Sequence, residues 1–248
     1  MSERTDTAEA VSQAIAARRE LVNDAVPHQL PIQEPERLYK ASRYLLDAGG
    51  KRLRPTVLLL AAEALADVRP LSEDYQRFPA SEGTIDMMAA AVSIETIQSF
   101  TLIHDDIMDD DDVRRGVPAV HQEFDLSTAI LAGDTLYAKA FEHMLETGAD
   151  AERSVRALSE LATTCTKICE GQSCDIAFES RTDVSIEEYL TMVELKTAVL
   201  YAAAASIPAI LLGEDDAVDP LYQYGLNIGR AFQIQDDLLD LTTPSEKL

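Results

Sequence analysis

The sequence predicts an all-α protein, one large antiparallel helix bundle around a central cavity. Three observations carry that expectation. Sustained period-two alternation is missing, as are Asn-Gly and Asp-Gly hairpin turns. Apolar residues recur at helical spacing over long stretches instead. Two Asp-Asp-x-x-Asp units, Asp105-Asp106-Ile107-Met108-Asp109 and Asp236-Asp237-Leu238-Leu239-Asp240, lie inside strongly apolar runs. Helices that the core must pack, with a cavity between them, let such acids face one another.

Residues 7–23 read as a charged amphipathic opening helix, and residues 34–47 as a second helix stopped by Gly49-Gly50. Residues 54–66 are apolar and rich in Ala and Leu. The stretch 68–83, with two Pro and scattered charge, reads as an exposed loop. Residues 85–109 form a long helix with Met88, Val92, Ile97 and Ile103 broadly at helical spacing. Further helices are expected over 126–146, 151–173, 185–212 and 221–241, with Ser185 and Glu188 spaced as a capping box. Gly225-x-x-x-Gly229 marks a place where two helices approach closely.

With 248 residues, 46% of them hydrophobic, the chain can bury a substantial core in one domain. Its net charge is −23, with 44 acidic residues against 21 Lys and Arg. Such a surface repels nucleic acid and anionic membranes, and it suits a high-salt cytoplasm where screening shortens repulsion between carboxylates. The first 20 residues carry no apolar signal core, and the longest mostly apolar run, 200–212, is shorter than the ~20 residues a bilayer span needs. Three cysteines, Cys165, Cys169 and Cys174, fit a reducing compartment and read as buried small thiols rather than metal ligands. The expectation is a cytoplasmic protein without a membrane span and without a nucleic-acid partner.

On a helix the first and last Asp of each unit share one face, with Cβ atoms roughly 6 Å apart. Carboxylates that close resist burial unless a cation neutralises them. Hard divalent ions shared with substrate phosphates are the natural content, and Mg2+ fits best. The complementary charge is concentrated in Gly49-Gly50-Lys51-Arg52-Leu53-Arg54-Pro55, three cations within four residues of a lysine-poor chain. There the glycines let backbone approach a bound group, and Lys with Arg suits a diphosphate; a solvated basic turn is the plainer alternative. Arg114-Arg115 follows the first acidic unit, either to grip phosphate beside the metal or to compensate the crowded acids of 105–112. His104 and His121 read as structural, and no Ser-His-Asp or Cys-His constellation stands out.

The order of these pieces resembles the trans-polyprenyl diphosphate synthases, which include the farnesyl and geranylgeranyl diphosphate synthases. It runs Gly-Gly-Lys-Arg-Leu-Arg-Pro, then His104-Asp105-Asp106-Ile107-Met108-Asp109 with Arg114-Arg115-Gly116-x-Pro118-x-x-His121. Gly171-Gln172, Lys196-Thr197 and Phe232-Gln233-x-x-Asp236-Asp237-x-x-Asp240 follow. The resemblance covers residue 34 to the end and implies the isoprenoid-synthase type of bundle and a head-to-tail condensation. In that reaction an allylic diphosphate loses its diphosphate to three Mg2+ ions, and isopentenyl diphosphate attacks the allylic cation.

Carried over by position, the resemblance implies that Asp105 and Asp109 bind Mg2+ from the first helix and Asp236 from the second. Asp240 joins that ligand set, with Asp106 and Asp237 counted among the catalytic acids. Lys51, Arg54 and Arg115 would hold isopentenyl diphosphate, with Arg52 beside them. Arg114, Lys196, Thr197 and Gln233 would contact the allylic diphosphate or its cation, with Lys196 also counted among the catalytic residues. Gln98, where many members carry His, would touch the homoallylic phosphate.

Phe100, about one turn and a residue before Asp105, is expected to point along the growing chain and, with Thr101, to set a geranylgeranyl product. Farnesyl or longer products are the alternative. A homodimer is implied by the same likeness. The family usually continues through a Gly-Lys-x-x-Gly-x-Asp stretch and several helices, so residues 1–248 are expected to form one domain lacking the C-terminal part of the bundle. A class I terpene cyclase would lack the basic isopentenyl site and the second acidic unit, and a non-catalytic partner subunit would have lost one of the units; this chain keeps these features.

Overall fold

The computed structural model describes residues 2–71, 74–81 and 83–242, with the side chains of all of these except 2–7 and 240. The chain folds as α1 (Ser2–Gln29), α2 (Glu36–Asp47), α3 (Leu53–Leu65), a 3-10 turn (Tyr75–Arg77), β1 (Phe78–Pro79), β2 (Thr84–Ile85) and α4 (Met87–Met108). It continues with β3 (Val113–Arg114), β4 (Val117–Pro118), α5 (Val120–Glu123), α6 (Leu126–Leu145) and α7 (Ala151–Glu179). Last come α8 (Ile186–Val193), a π turn (Glu194–Ala198), α9 (Val199–Leu212) and α10 (Asp215–Thr242). The all-α expectation holds, with two antiparallel pairs of two-residue strands added.

The core is organised around α9, every residue of which is buried. It packs against α10, α3 and α7, while α4 lies against α6 and α3. Each fully buried Leu or Ile of such a helix contributes about 1.5–3 kcal/mol. Ile186–Leu212 is long and apolar enough to cross a bilayer by length and composition, yet 89% of its apolar window is buried in the protein, so it is a core helix. The glycine pair does what its spacing predicts. A Cβ on Gly225 would lie 2.4 Å from the Tyr201 carbonyl oxygen, and one on Gly229 would lie 2.5 Å from Ala198 Cα. Only glycine lets α10 come this close to α9.

The expected helix 185–212 is broken by the π turn, and three boundaries move furthest from the sequence expectation because tertiary packing overrides local signals. Helix α1 runs on through Pro27, since Val22, Ala25 and Val26 are buried in the common core. Helix α7 continues six residues past the expected stop at 173, to Glu179. Helix α10 starts at Asp215, with Pro220 inside it rather than before it, at the loss of one helical hydrogen bond. The stretch 68–83 is not simply an exposed loop. Tyr75 and Phe78 are buried and stacked at 6.0 Å between ring centres, and the Tyr75 hydroxyl donates to Glu63, which also pairs with buried Arg18.

Candidate active site

The first acidic unit ends α4. That helix starts on Asp86, whose carboxylate accepts the Ala89 N–H at 2.8 Å, and its first turns are buried before the polar end opens on a cavity. Past Asp109 the chain turns through Asp110 at φ 55° into the β3–β4 hairpin. Arg115 and Gly116 form its two-residue turn with φ of 54° and 77°, both in the left-handed region such a turn demands. The Arg115 guanidinium is held by the Leu45 and Gly49 carbonyl oxygens, at 2.8 and 2.5 Å, and by Glu95 at 3.4 Å. Gly50 makes that seat: a Cβ there would stand 3.0 Å from the guanidinium carbon. The basic turn and the arginine pair, far apart in sequence, are therefore one structure.

Arg52, also left-handed at φ 49°, turns its side chain inward. It donates to Asn23 at 2.9 Å, to the Leu46 carbonyl oxygen at 2.5 Å and to Glu95. Glu95 thus sits buried between two arginines at the cavity wall. Lys51 stands over the Phe232 ring at 5.6 Å, and the Arg54 guanidinium lies 4.4 Å from the Tyr201 ring centre. These aromatic platforms hold two cations at the cavity. Helix α3 begins at Leu53, so its N-terminal dipole also faces this space.

Opposite lies the π turn. A Cβ on Gly171 would fall 2.2 Å from the Lys196 backbone nitrogen, so glycine alone lets α7 reach it. Lys196 pairs with Asp175 of α7 at 2.5 Å. The Thr197 hydroxyl donates to Gln233 Oε1 at 2.8 Å, and Gln233 Nε2 donates to Asp237 Oδ1 at 2.7 Å. The Tyr189 hydroxyl donates to Asp237 Oδ2, and Arg230 of α10 pairs with Glu194 at the start of the turn.

These parts enclose one cavity of about 560 Å³. Asp105, Asp109 and Asp236 line it together with Lys51, Arg52, Arg54, Gln98, Thr101, Arg114, Arg115, Lys196, Thr197 and Gln233. Three of the residues singled out from sequence do not line it. Asp106 is fully buried behind the wall, bound to Arg114, which also reaches Asp111 at 2.9 Å. Asp237 is engaged as described above. Phe100, expected along the path of a growing chain, packs instead against Tyr137 at 5.2 Å and His104 at 4.9 Å between ring centres, because α6 lies on that face of α4. The side chain of Asp240 lies outside the described residues.

The electrostatics follow from burial. Desolvation pushes Asp105 up to about 6, against the pull of Lys196 and helped by Asp109. Burial likewise raises Asp106, opposed by its hydrogen bond with Arg114. Burial lowers Arg115, with Glu95 opposing.

Sequence reading missed Glu95, Tyr201, Phe232 as a cation platform, and Tyr189. Glu95 had a readable signal, a lone charge within the apolar run 87–97. His104 is structural as expected, held 3.2 Å from the Ile130 carbonyl oxygen in a space that Gly133 leaves open. Of the cysteines only Cys165 is buried, its thiol pushed up to about 12 by desolvation; Cys169 is exposed, contrary to expectation, because it falls on the outer face of α7.

Comparison with known proteins decides the family. The polyprenyl synthetase family profile matches residues 35–248. The chain belongs to the polyprenyl synthetase family. Among relatives, a geranylfarnesyl diphosphate synthase of Natronomonas pharaonis is 75% identical over 98% of this chain and 72% of its own length. A geranylgeranyl pyrophosphate synthetase from Geoglobus acetivorans superposes with a TM-score of 0.84 at 51% identity, covering 94% of this chain and 71% of that one. The corresponding enzyme of Pyrococcus horikoshii gives 0.83 at 36% identity, over 96% and 69%. This member of the synthetase family is thus a prenyltransferase with the isoprenoid-synthase fold.

Proposed function

We propose that this prenyltransferase condenses isopentenyl diphosphate with allylic diphosphates head-to-tail, with Mg2+ as its cofactor, and that its main product is geranylfarnesyl diphosphate. The observation that carries the reading is the meeting of both acidic units and the Gly50–Arg54 basic turn around one cavity. Such a cavity offers carboxylates for the metal of one diphosphate and cations for a second.

The donor set fits Mg2+. The three lining aspartates offer oxygen ligands, and desolvation of the partly buried Asp105 carboxylate favours a cation beside it. Among the described residues no group of three His, Cys, Asp or Glu side chains converges to cage a metal by itself. Substrate phosphates would have to complete the coordination of an ion held by a few carboxylates. Asp105, Asp109 and Asp236 would hold it, with Asp240 as a further ligand. When bound, Mg2+ neutralises the negative charge that builds on the departing diphosphate.

The chain's own residues supply the rest. Lys51, Arg54 and Arg115 bind isopentenyl diphosphate, with Gln98 beside them. Arg114 and Lys196 grip the allylic diphosphate. Thr197 and Gln233 present oxygen atoms towards the allylic carbon, where positive charge develops as the carbon–oxygen bond breaks. Leu102, Ile168 and Phe232 keep water from that carbon. The double bond of isopentenyl diphosphate forms the new carbon–carbon bond, and the proton then lost passes to the released diphosphate.

Product length rests on the wall below Asp105. Phe100 is turned towards Tyr137, leaving Thr101 as the small residue at the lining. This favours one prenyl unit more than geranylgeranyl, in keeping with the relative at 75% identity; the relative at 51% favours geranylgeranyl as the second reading. The exposed apolar residues Ile130 and Leu131 of α6 are where we place a homodimer contact. In an assay with isopentenyl and farnesyl diphosphates, Mg2+ and high salt, chromatography should show geranylfarnesyl diphosphate. Thr101→Phe should shorten it and Phe100→Ala should leave it unchanged. No prenyl product at all would refute the function, and a longer product from Phe100→Ala alone would refute the assignment of the wall.

A further inference from the structure

Asp237 accepts two hydrogen bonds and lies off the cavity, while its partner Gln233 lies on it. A carboxylate is an acceptor only, so the amide facing it must present its NH2 group. Gln233 therefore aims Nε2 away from the cavity wall at Asp237 and Oε1 towards Thr197, which lines the cavity. A flipped amide would set its oxygen against the carboxylate and its NH2 against the place where positive charge develops. The polarity of this wall is thus decided by a residue that does not touch the cavity.

Asp237 could itself rotate, and Tyr189 prevents it. The half-buried Tyr189 hydroxyl, one turn into α8, donates to Oδ2 and leaves Oδ1 for Gln233. Burial, with the Asp237 hydrogen bond adding to it, raises that phenol to about 12, so it stays a donor. Independent contacts fix the register of the relay. Arg230 pairs with Glu194 on one side, and Gly229 packs on the Ala198 backbone on the other. The π turn between them places the Thr197 hydroxyl opposite Gln233.

We infer that Tyr189 and Asp237 are positioning residues which hold Gln233 with its carbonyl oxygen towards the allylic cation, so that Tyr189 contributes to turnover without touching substrate. The inference rests on the prenyl-transfer reading. Kinetics with isopentenyl and farnesyl diphosphates should be measured for the unaltered chain, Tyr189→Phe, Gln233→Ala and the double variant, alongside thermal unfolding. Tyr189→Phe should lower kcat about tenfold, less than the hundredfold or more lost with a direct electrostatic contact. Both KM values should stay within about twofold. In the Gln233→Ala background the same change should cost nothing further, because its effect passes through that amide.

An unchanged kcat, or an equal loss in both backgrounds, would overturn the positioning role; an equal loss would mark Tyr189 as a packing residue. If the unaltered chain makes no prenyl product, the function itself fails, and this inference with it. Turnover combined with an additive cycle removes only the inference. Asp237→Asn supplies a second reading, since its NH2 can turn the Gln233 amide round: kcat should fall further than in Tyr189→Phe with unfolding unchanged, and full activity would overturn the polarity argument.

Discussion

The two acidic units are alike in sequence and differ in how they are supported. In each, the first Asp faces the cavity and the second turns behind the wall. Asp106, fully buried, is neutralised by Arg114 of the adjoining hairpin, a charged partner that itself lines the cavity. Asp237 is held by neutral donors, Tyr189 and Gln233, and only the latter lines the cavity. The first unit is therefore built as a charge balance and the second as an orientation device. One motif serves two purposes because the neighbours differ.

The largest expected effect is common to both units. Asp105→Ala and Asp236→Ala should each lower kcat by about a thousandfold or more, with helical circular dichroism retained, because each removes a cavity-facing carboxylate from opposite walls. Comparable activity in either variant would break the symmetry just described.

The units should then separate in stability. Arg114→Leu strands the buried Asp106 carboxylate and should cost about 3 kcal/mol in denaturant unfolding. Tyr189→Phe strands no charge and should cost about 1 kcal/mol or less. Equal costs would mean that the second unit, too, is held by charge.

A further effect, confined to one side of the titration, is one of pH. Asp105 rises from 3.8 to about 6 on folding because burial disfavours its charge. Its folded form therefore prefers the proton, and the stability this group contributes is full below about 4 and lost as pH climbs through 6. In metal-free protein Asp105→Asn should thus be more stable than the unaltered chain at pH 8, by about 2–3 kcal/mol at most, and no more stable at pH 4. The same advantage at both pH values would exclude ionisation of Asp105 as its source.

Much of this was legible in the sequence because it is written in short range. Helical periodicity, the capping box at Ser185 and Glu188, and the Gly225–Gly229 pair each depend on residues within a turn or two of one another. The acids and the basic turn were readable for the same reason, the acids as clusters inside apolar runs and the basic turn as a cluster in a cation-poor chain. What escaped depends on long-range packing. Phe100 could be placed on a helix face but not assigned to α6 rather than the cavity. Arg52 and Arg54 look equivalent in sequence, yet left-handed backbone turns one inward to Glu95 and leaves the other on Tyr201. The π turn has no local signature, since it arises where α7 and α10 press on both sides of Lys196 and Thr197.

The most direct test of a shared site is calorimetric titration of a non-cleavable allylic diphosphate analogue into the unaltered chain, Asp105→Ala and Asp236→Ala, with Mg2+ and with chelator. Binding to the unaltered chain should tighten by about a hundredfold with Mg2+, and either substitution should abolish that gain. If the metal-dependent gain survives the loss of either aspartate, the two units do not hold one diphosphate between them, and the account is wrong.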